Sequence, residues 1–586
     1  MKKILIIVAV LFLSACGSKT KKTTTGTTTW IQTQTDVEFE NYTKDLFSSM
    51  LEGDPLSINF YVEKPELFGL DQTVYEGIAY ENNKQENIDE LNGLIAEIKA
   101  FKDNKLELKN RVTKSLLIDY FENLKEFETE DFYYYGTNLG SYLGYQANLP
   151  VLLTMYVIDD NKDVLDYFSY LTKAEEDFNA ITDFEVEKIA YGLSLPNSIL
   201  NGVIEQIDAF CSQEECYLIP VFEEKIDALD ISDEQKASLK SEHKNYINEF
   251  INAYQVLKEN IETKLLNKQT KVGSLASFGE KGKKYYQYLI KTNIGTDADV
   301  DTIRDELKNA SQNALTQYIR NYQLSGGLVG DFAGNNSYKQ ILDGFISNER
   351  IWADFPKLEQ DINYNLNYVN EALEDNFSPA AYFASYVDNK NCVEQIIINE
   401  KSFAEQGGNY QYTTLAHEGI PGHLFQNLSF KNSSMFTPIR AILNNTGYKE
   451  AWAVYSESYI LKYASGTSAV KNAYKWEQRF YGYVQAYLDV LVNYDGYNAS
   501  QLSDELTNMG LSVGDVSSLY NQLIETPTNS LEYYYSIIEL ENLKQKVQEK
   551  LGDDYSDMIF HKFYLEFGPA PFYIIEDYID FVYYCM

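Results

Sequence analysis

The sequence predicts a mainly α protein, a large helical body with a few short strands. Three observations predict it. Apolar residues recur at three- and four-residue spacing through most of the 586 residues, only twelve prolines interrupt them, and strand-like runs are few. Residues 88–101, 112–127 and 237–266 read as helices on this spacing. Ser232-Asp-Glu-Gln235 ahead of the third run reads as a capping box, with Ser232 as the cap. The best strand is 392–399, CVEQIIIN, followed after a short gap by a Gly407-Gly408 turn. No internal repeat is evident.

At the N-terminus, two lysines precede a short apolar stretch ending in Leu13-Ser-Ala-Cys16. That stretch is too short to cross a bilayer of about 30 Å, so residues 1–15 read as a cleaved export signal. The ending resembles a bacterial lipobox, which implies that Cys16 becomes a lipidated N-terminus. Residues 16–36, rich in threonine, glycine and lysine, read as a flexible tether. The expectation is an extracytoplasmic body, tied to the cell membrane through its N-terminal lipid alone.

The remaining chain is long enough for one or two large cores. A composition change near residues 273–284 divides it into a helical part, 37–272, and a part carrying the chemistry, 273–586. Net charge is −38, which argues against a nucleic-acid partner, since phosphate binding needs clustered Lys and Arg. Beyond Cys16, four cysteines remain, Cys211, Cys216, Cys392 and Cys585; outside the cytosol they could pair, and spacing does not fix how. The Gly-rich segment 326–334 lacks the Gly-Lys-Ser/Thr ending of a phosphate loop and reads as a plain loop. Asp297, Asp299 and Asp301 imitate a calcium loop, but Thr302 and Lys308 stand where Gly and Glu are needed, so a helix start is expected there.

Four histidines occur in the chain: His243, His417, His423 and His561. His243, in Ser-Glu-His-Lys, is expected on the surface. Two others fall within His417-Glu-Gly-Ile-Pro-Gly-His423. Imidazole is the commonest neutral metal ligand, and a glutamate following a ligand histidine is how zinc hydrolases activate a bound water. The usual spacing of such ligands is four residues, one helical turn. At six, on a regular helix, the two rings would point roughly 120° apart. Pro421-Gly422 resolves this, because proline cannot continue the helical hydrogen bonds and glycine tolerates unusual backbone angles, so the helix should break and swing His423 back. Downstream, Glu450-Ala-Trp-Ala-Val-Tyr-Ser-Glu457 begins a helix-like run with its two glutamates on one face. One of the two can bind metal while the other supports a ligand from behind, and Glu450 is the expected ligand with Glu457 as the support.

The His-Glu-x-x-Pro-Gly-His motif with this later Glu-Ala-Trp-Ala segment resembles a group of bacterial proteins that carry the domain-of-unknown-function label 885. The match covers roughly residue 283 to the end, and includes Ala381-Tyr382 and HKFYLEFGPAP from His561. The resemblance implies a helical zinc metallopeptidase, gluzincin-like in layout, its large helical body carrying a few short strands near the active site and a central cleft, and a lipoprotein. Where the family often has an arginine and a histidine around an Asp-x-Gly-x-His segment, this chain keeps only Asp489, a candidate for the outer layer of the site.

These readings combine into one expectation. A single zinc ion is held by His417, His423 and Glu450, with a fourth position open to water, and Glu418 acts as the base on a peptide substrate. His561 leads the candidates to stabilise the oxyanion, ahead of Tyr382 and Tyr573. Two alternatives compete: a zinc amidase on cell-wall or N-acyl substrates, and a non-catalytic ligand-binding lipoprotein. Cleavage preference, end against interior cleavage, and oligomeric state are open at this level.

Overall fold

The computed structural model describes residues 33–586 apart from 143, 270, 372, 373, 375, 376, 385, 444 and 513. The expected signal peptide, Cys16 and residues 16–32 of the expected tether lie outside the described residues. The structure is 68% helical, with three short strands in one small sheet among the described residues, and none of the described helices is long and apolar enough to cross a membrane. The first helix, Gln34–Leu51, takes in residues 34–36, which composition alone had assigned to the tether. Its Thr33 cap and Asp36 close a reciprocal pair of hydrogen bonds.

Local signals place the helix starts. Ser232 and Gln235 form the expected capping box ahead of the Asp233–Asn260 helix. Asp299, one of the three aspartates of the calcium-like run, caps the Val300–Leu324 helix by accepting from the Thr302 N–H. Such caps satisfy backbone N–H groups that have no partner within the helix.

Two hydrophobic cores form. One draws on Leu149, Phe178, Leu200, Phe222, Phe250 and Leu257, with the long Asn161–Ala190 and Asp233–Asn260 helices packed on each other. The other joins Phe39, Phe47, Leu117 and Phe132 to residues from Leu275 through Val582. The front of the chain therefore packs into the same interior as the rear.

His243 corrects the expectation of a surface residue, being fully buried. It lies on the apolar stripe of its helix with Ile247, Phe250, Tyr254 and Leu257 at alternating four- and three-residue steps, all buried. Its ring stacks on Phe222 at 4.0 Å. Burial pulls its pKa down to about 3, against about 6.5 in an unfolded chain. Between those values the unfolded state binds more protons, so stability falls as pH drops below 6.5, by up to about 1.4 kcal/mol per pH unit. His243→Leu is expected to flatten this acid limb in urea titrations run between pH 7 and 4.5. An unchanged slope would show that the group does not titrate on unfolding.

The four cysteines are free thiols. Cys211 sits with its sulfur 3.8 Å from the Ile251 carbonyl, and Cys216 is buried.

The sheet contains β1 (Tyr364–Tyr368), β2 (Ala380–Phe383) and β3 (Glu394–Ile398). β3 is central, parallel to β1 with Tyr364 opposite Glu394, and antiparallel to β2 with Tyr382 opposite Ile396. The strand expected at 392–399 is thus the middle strand. Its alternate residues Glu394, Ile396 and Ile398 are buried, and β2 lies at an edge, beside the motif helices.

Candidate metal centre

The motif helix Gly408–Glu418 ends at the glutamate, and a second helix, His423–Asn432, begins at the second histidine. Between them the chain turns sharply. Gly422 N–H donates to Ala416 O at 2.9 Å, and Phe425 N–H to Gly419 O at 3.2 Å. The approach is so close that a Cβ on Gly422 would stand 1.8 Å from the His417 carbonyl oxygen; only glycine fits. Trp452, on the Thr446–Ile460 helix, fastens the turn by donating its indole N–H to Pro421 O at 2.7 Å.

The break brings the two imidazoles together, with ring centres 4.8 Å apart and planes at 87°. Glu450, also on the Thr446–Ile460 helix, reaches in from the other side. Its Oε2 is 3.4 Å from His417 Nε2 and 3.5 Å from His423 Nε2. One ligand atom from each of the three residues lies within 4.8 Å of the others, and all three residues are buried.

The donor set fits a divalent cation. Glu450 Oε2 is buried with no hydrogen-bond partner, which is costly for a carboxylate oxygen unless a positive charge faces it. Burial favours the neutral acid, yet His423 and His417 beside it hold the Glu450 carboxyl down at about 2. Burial works against a charged His417 in the same way, and Glu450 and Glu457 together overcome it, holding its pKa well above the ordinary value. A cation held between these groups would supply the charge that the carboxylates otherwise draw from protons.

Around the ligands, Glu457 accepts from His417 Nδ1 at 2.7 Å, which leaves Nε2 facing Glu450 and fixes the ring. Glu418 Oε2 accepts the backbone N–H of Tyr382, on edge strand β2, at 2.8 Å, while Oε1 faces His417 Nε2 at 3.9 Å. Burial raises the Glu418 pKa. Tyr382 therefore meets the site through its backbone; its hydroxyl donates to buried Glu394 and accepts from Asn427 Nδ2.

Three expected site residues lie elsewhere. His561 is fully buried, with Nδ1 donating to Asp354 O at 2.6 Å, Nε2 accepting from Tyr455 at 2.9 Å, and its ring stacked on Phe355. Both nitrogens are spent on packing, and burial holds it neutral, pulling its pKa down to about 3. Tyr573 donates to Asp119 on an N-terminal helix at 2.8 Å. Asp489 spends both carboxylate oxygens on Tyr286, Asn493 and the Thr528 N–H, joining helices rather than supporting a ligand; burial raises its pKa to about 7.

Sequence reasoning missed Tyr533. Its ring lies nearly parallel to His417 with centres 6.3 Å apart, and its hydroxyl has no hydrogen bond among the described residues. Burial, then the nearby Glu450, Glu532 and Glu418, raise its pKa well above the ordinary range, which keeps the phenol protonated. Three consecutive tyrosines, 533–535, gave no signal of which one faces the cluster.

The chain belongs to the family described as bacterial protein of unknown function, DUF885, whose model matches residues 77–314 and 338–579. No curated protein matches it. Among solved structures, a protein described as a lipoprotein from Colwellia psychrerythraea is 18% identical with a TM-score of 0.77, covering 94% of this chain and 99% of that one. Another, described as a lipoprotein of unknown function from Shewanella oneidensis, is 14% identical with a TM-score of 0.58, covering 93% and 99%. An oligoendopeptidase F, so described, from Bacillus anthracis is 12% identical with a TM-score of 0.33, covering 87% and 97%, too distant to carry an argument. The first two likenesses establish a shared fold.

Proposed function

We propose that the protein is a zinc-dependent metallopeptidase, gluzincin-like in its ligand layout, acting on peptides outside the membrane. The observation that carries this reading is the convergence of His417, His423 and the buried Glu450 oxygen beside Glu418. Zinc, when bound there, supplies Lewis acidity and a water of lowered pKa. Glu418, anchored through Oε2 to the Tyr382 N–H, keeps Oε1 available to take the proton of the attacking water and pass it to the leaving amine nitrogen. Glu457 holds His417 in the tautomer whose Nε2 lone pair faces inward. Tyr533 donates its unengaged hydroxyl to the oxyanion of the tetrahedral intermediate. The lipobox reading of Cys16, together with neighbours described as lipoproteins, supports placing the body outside the membrane on a lipid anchor.

The test is metal analysis of the purified mature chain alongside digestion of a peptide mixture. About one zinc per chain is expected, with cleavage abolished by 1,10-phenanthroline and restored by added zinc. Cleavage of cell-wall fragments alone would favour the amidase reading, and a metal-loaded chain that cleaves nothing would favour ligand binding. Tyr533→Phe is expected to lower kcat about 10²-fold with zinc content unchanged; a kcat within twofold of the parent would remove the tyrosine from the reaction.

A further inference from the structure

In a chain of net charge −38, two cations stand on the helix packed against the one that carries Tyr533. Lys475 and Arg479 stand one turn apart on the Ser468–Asn493 helix, on the face that carries Gly482. A Cβ on Gly482 would lie 1.9 Å from the Tyr534 ring, so this face is pressed against the short Asn529–Tyr534 helix that carries Tyr533. Arg479 Nη2 donates to Ser458 Oγ at 3.3 Å, the residue after Glu457. Tyr474, next to Lys475, has its hydroxyl 3.1 Å from Thr413 Oγ, one turn before His417.

The two cations differ in how far they are matched. Arg479 is 2% exposed; its Nη1 donates to Tyr483 at 3.0 Å, its Nη2 is 3.4 Å from Glu541, and its Nε has no hydrogen-bond partner. The Lys475 ammonium makes no hydrogen bond or ion pair among the described residues and sits 4.9 Å over the Trp476 ring. Burial, then Arg479, pull its pKa down to about 8. Of the neighbouring acids, Glu541 is half exposed and Glu457 is committed to His417. Lys544, a third cation nearby, is paired with Asp557 and Tyr455. A partly desolvated Lys475 without a counter-charge, beside the spare donor on Arg479 Nε, is unfavourable until an anion completes the pair.

We propose that Lys475 and Arg479 bind a carboxylate of the substrate, placing a negatively charged group of the peptide next to the reaction centre. This rests on the metallopeptidase reading and narrows its substrate class. A free C-terminus and an acidic side chain share this chemistry, and Lys and Arg would bind either through charge-assisted hydrogen bonds.

The experiment measures binding by calorimetry to the full mature chain carrying Glu418→Gln, which keeps peptides intact. Three forms of one peptide are compared: free C-terminal acid, C-terminal amide, and amide with an added internal glutamate. At least one carboxylate form is expected to bind about 10-fold tighter than the plain amide; which one identifies the source. Adding Lys475→Met should erase that preference, and Lys475→Arg should retain most of it. Equal affinity for all three forms, or a preference that survives Lys475→Met, overturns the carboxylate site while leaving the peptidase reading intact. Absence of binding by every form counts against the peptidase reading itself and takes this inference with it.

Discussion

Glu418→Gln is expected to lower peptide hydrolysis by about 10²- to 10⁴-fold while zinc content stays at one per chain. The substitution keeps the shape of the side chain, and its amide oxygen can still accept the Tyr382 N–H that the carboxylate accepts at 2.8 Å. The three inward-facing ligand atoms belong to other residues, so the metal should remain. What disappears is the ability to take a proton from water and return it to the leaving nitrogen. Single-turnover rates and metal content, measured on the same preparation, check both halves. Zinc lost in proportion to activity would show that Glu418 serves the metal rather than the reaction, and full activity would remove it from the mechanism.

Gly422→Ala is expected to damage the centre from a position that touches no metal. The added methyl would stand 1.8 Å from His417 O and 2.4 Å from Ala416 O. Both are backbone atoms of the motif helix, so no rotamer change relieves the contact, and the turn carrying His423 must move. A stability loss of about 2–3 kcal/mol is expected, with zinc affinity falling by at least about 10²-fold because one ligand leaves its place. Gly344→Ala is the control. It lies inside the Tyr338–Ser347 helix with nothing within 4 Å of the added carbon, so it should be neutral or slightly stabilising. If Gly422→Ala binds zinc like the parent, the tight turn is not what sets the ligand geometry.

The helices and the cluster were legible for different reasons. Periodicity revealed the helices because each buries one stripe, and caps such as Ser232 and Asp299 marked where they start. The motif announced its own distortion, since six-residue spacing and Pro-Gly together require a break. Glu450 and Glu457 could be paired because they share one helix. What failed were the readings of His561, Tyr573, Asp489 and His243, whose partners no local pattern indicates. His561 and Tyr573 looked available, yet Asp354, Tyr455 and Asp119 claim them. Asp489 looked like a supporting carboxylate, and Tyr286 and the Thr528 turn occupy it. His243 had polar neighbours in sequence but an apolar stripe in space. Tyr533 and Arg479 went unnoticed for the converse reason: nothing local distinguishes them, and only the packing of the Asn529–Tyr534 helix on Gly482 brings them beside His417 and Glu457.

The shared interior of Phe39, Phe132, Phe560 and Val582 bears on how the molecule is made. A ribosome delivers the first of these long before the last, and several hundred residues must emerge before the opening helices find their permanent neighbours. The middle segment around Leu149–Leu257, which has an interior of its own, can condense early. Its flanks must wait, so the polypeptide stays partly folded, a finished middle between two unfinished ends, until synthesis is nearly complete.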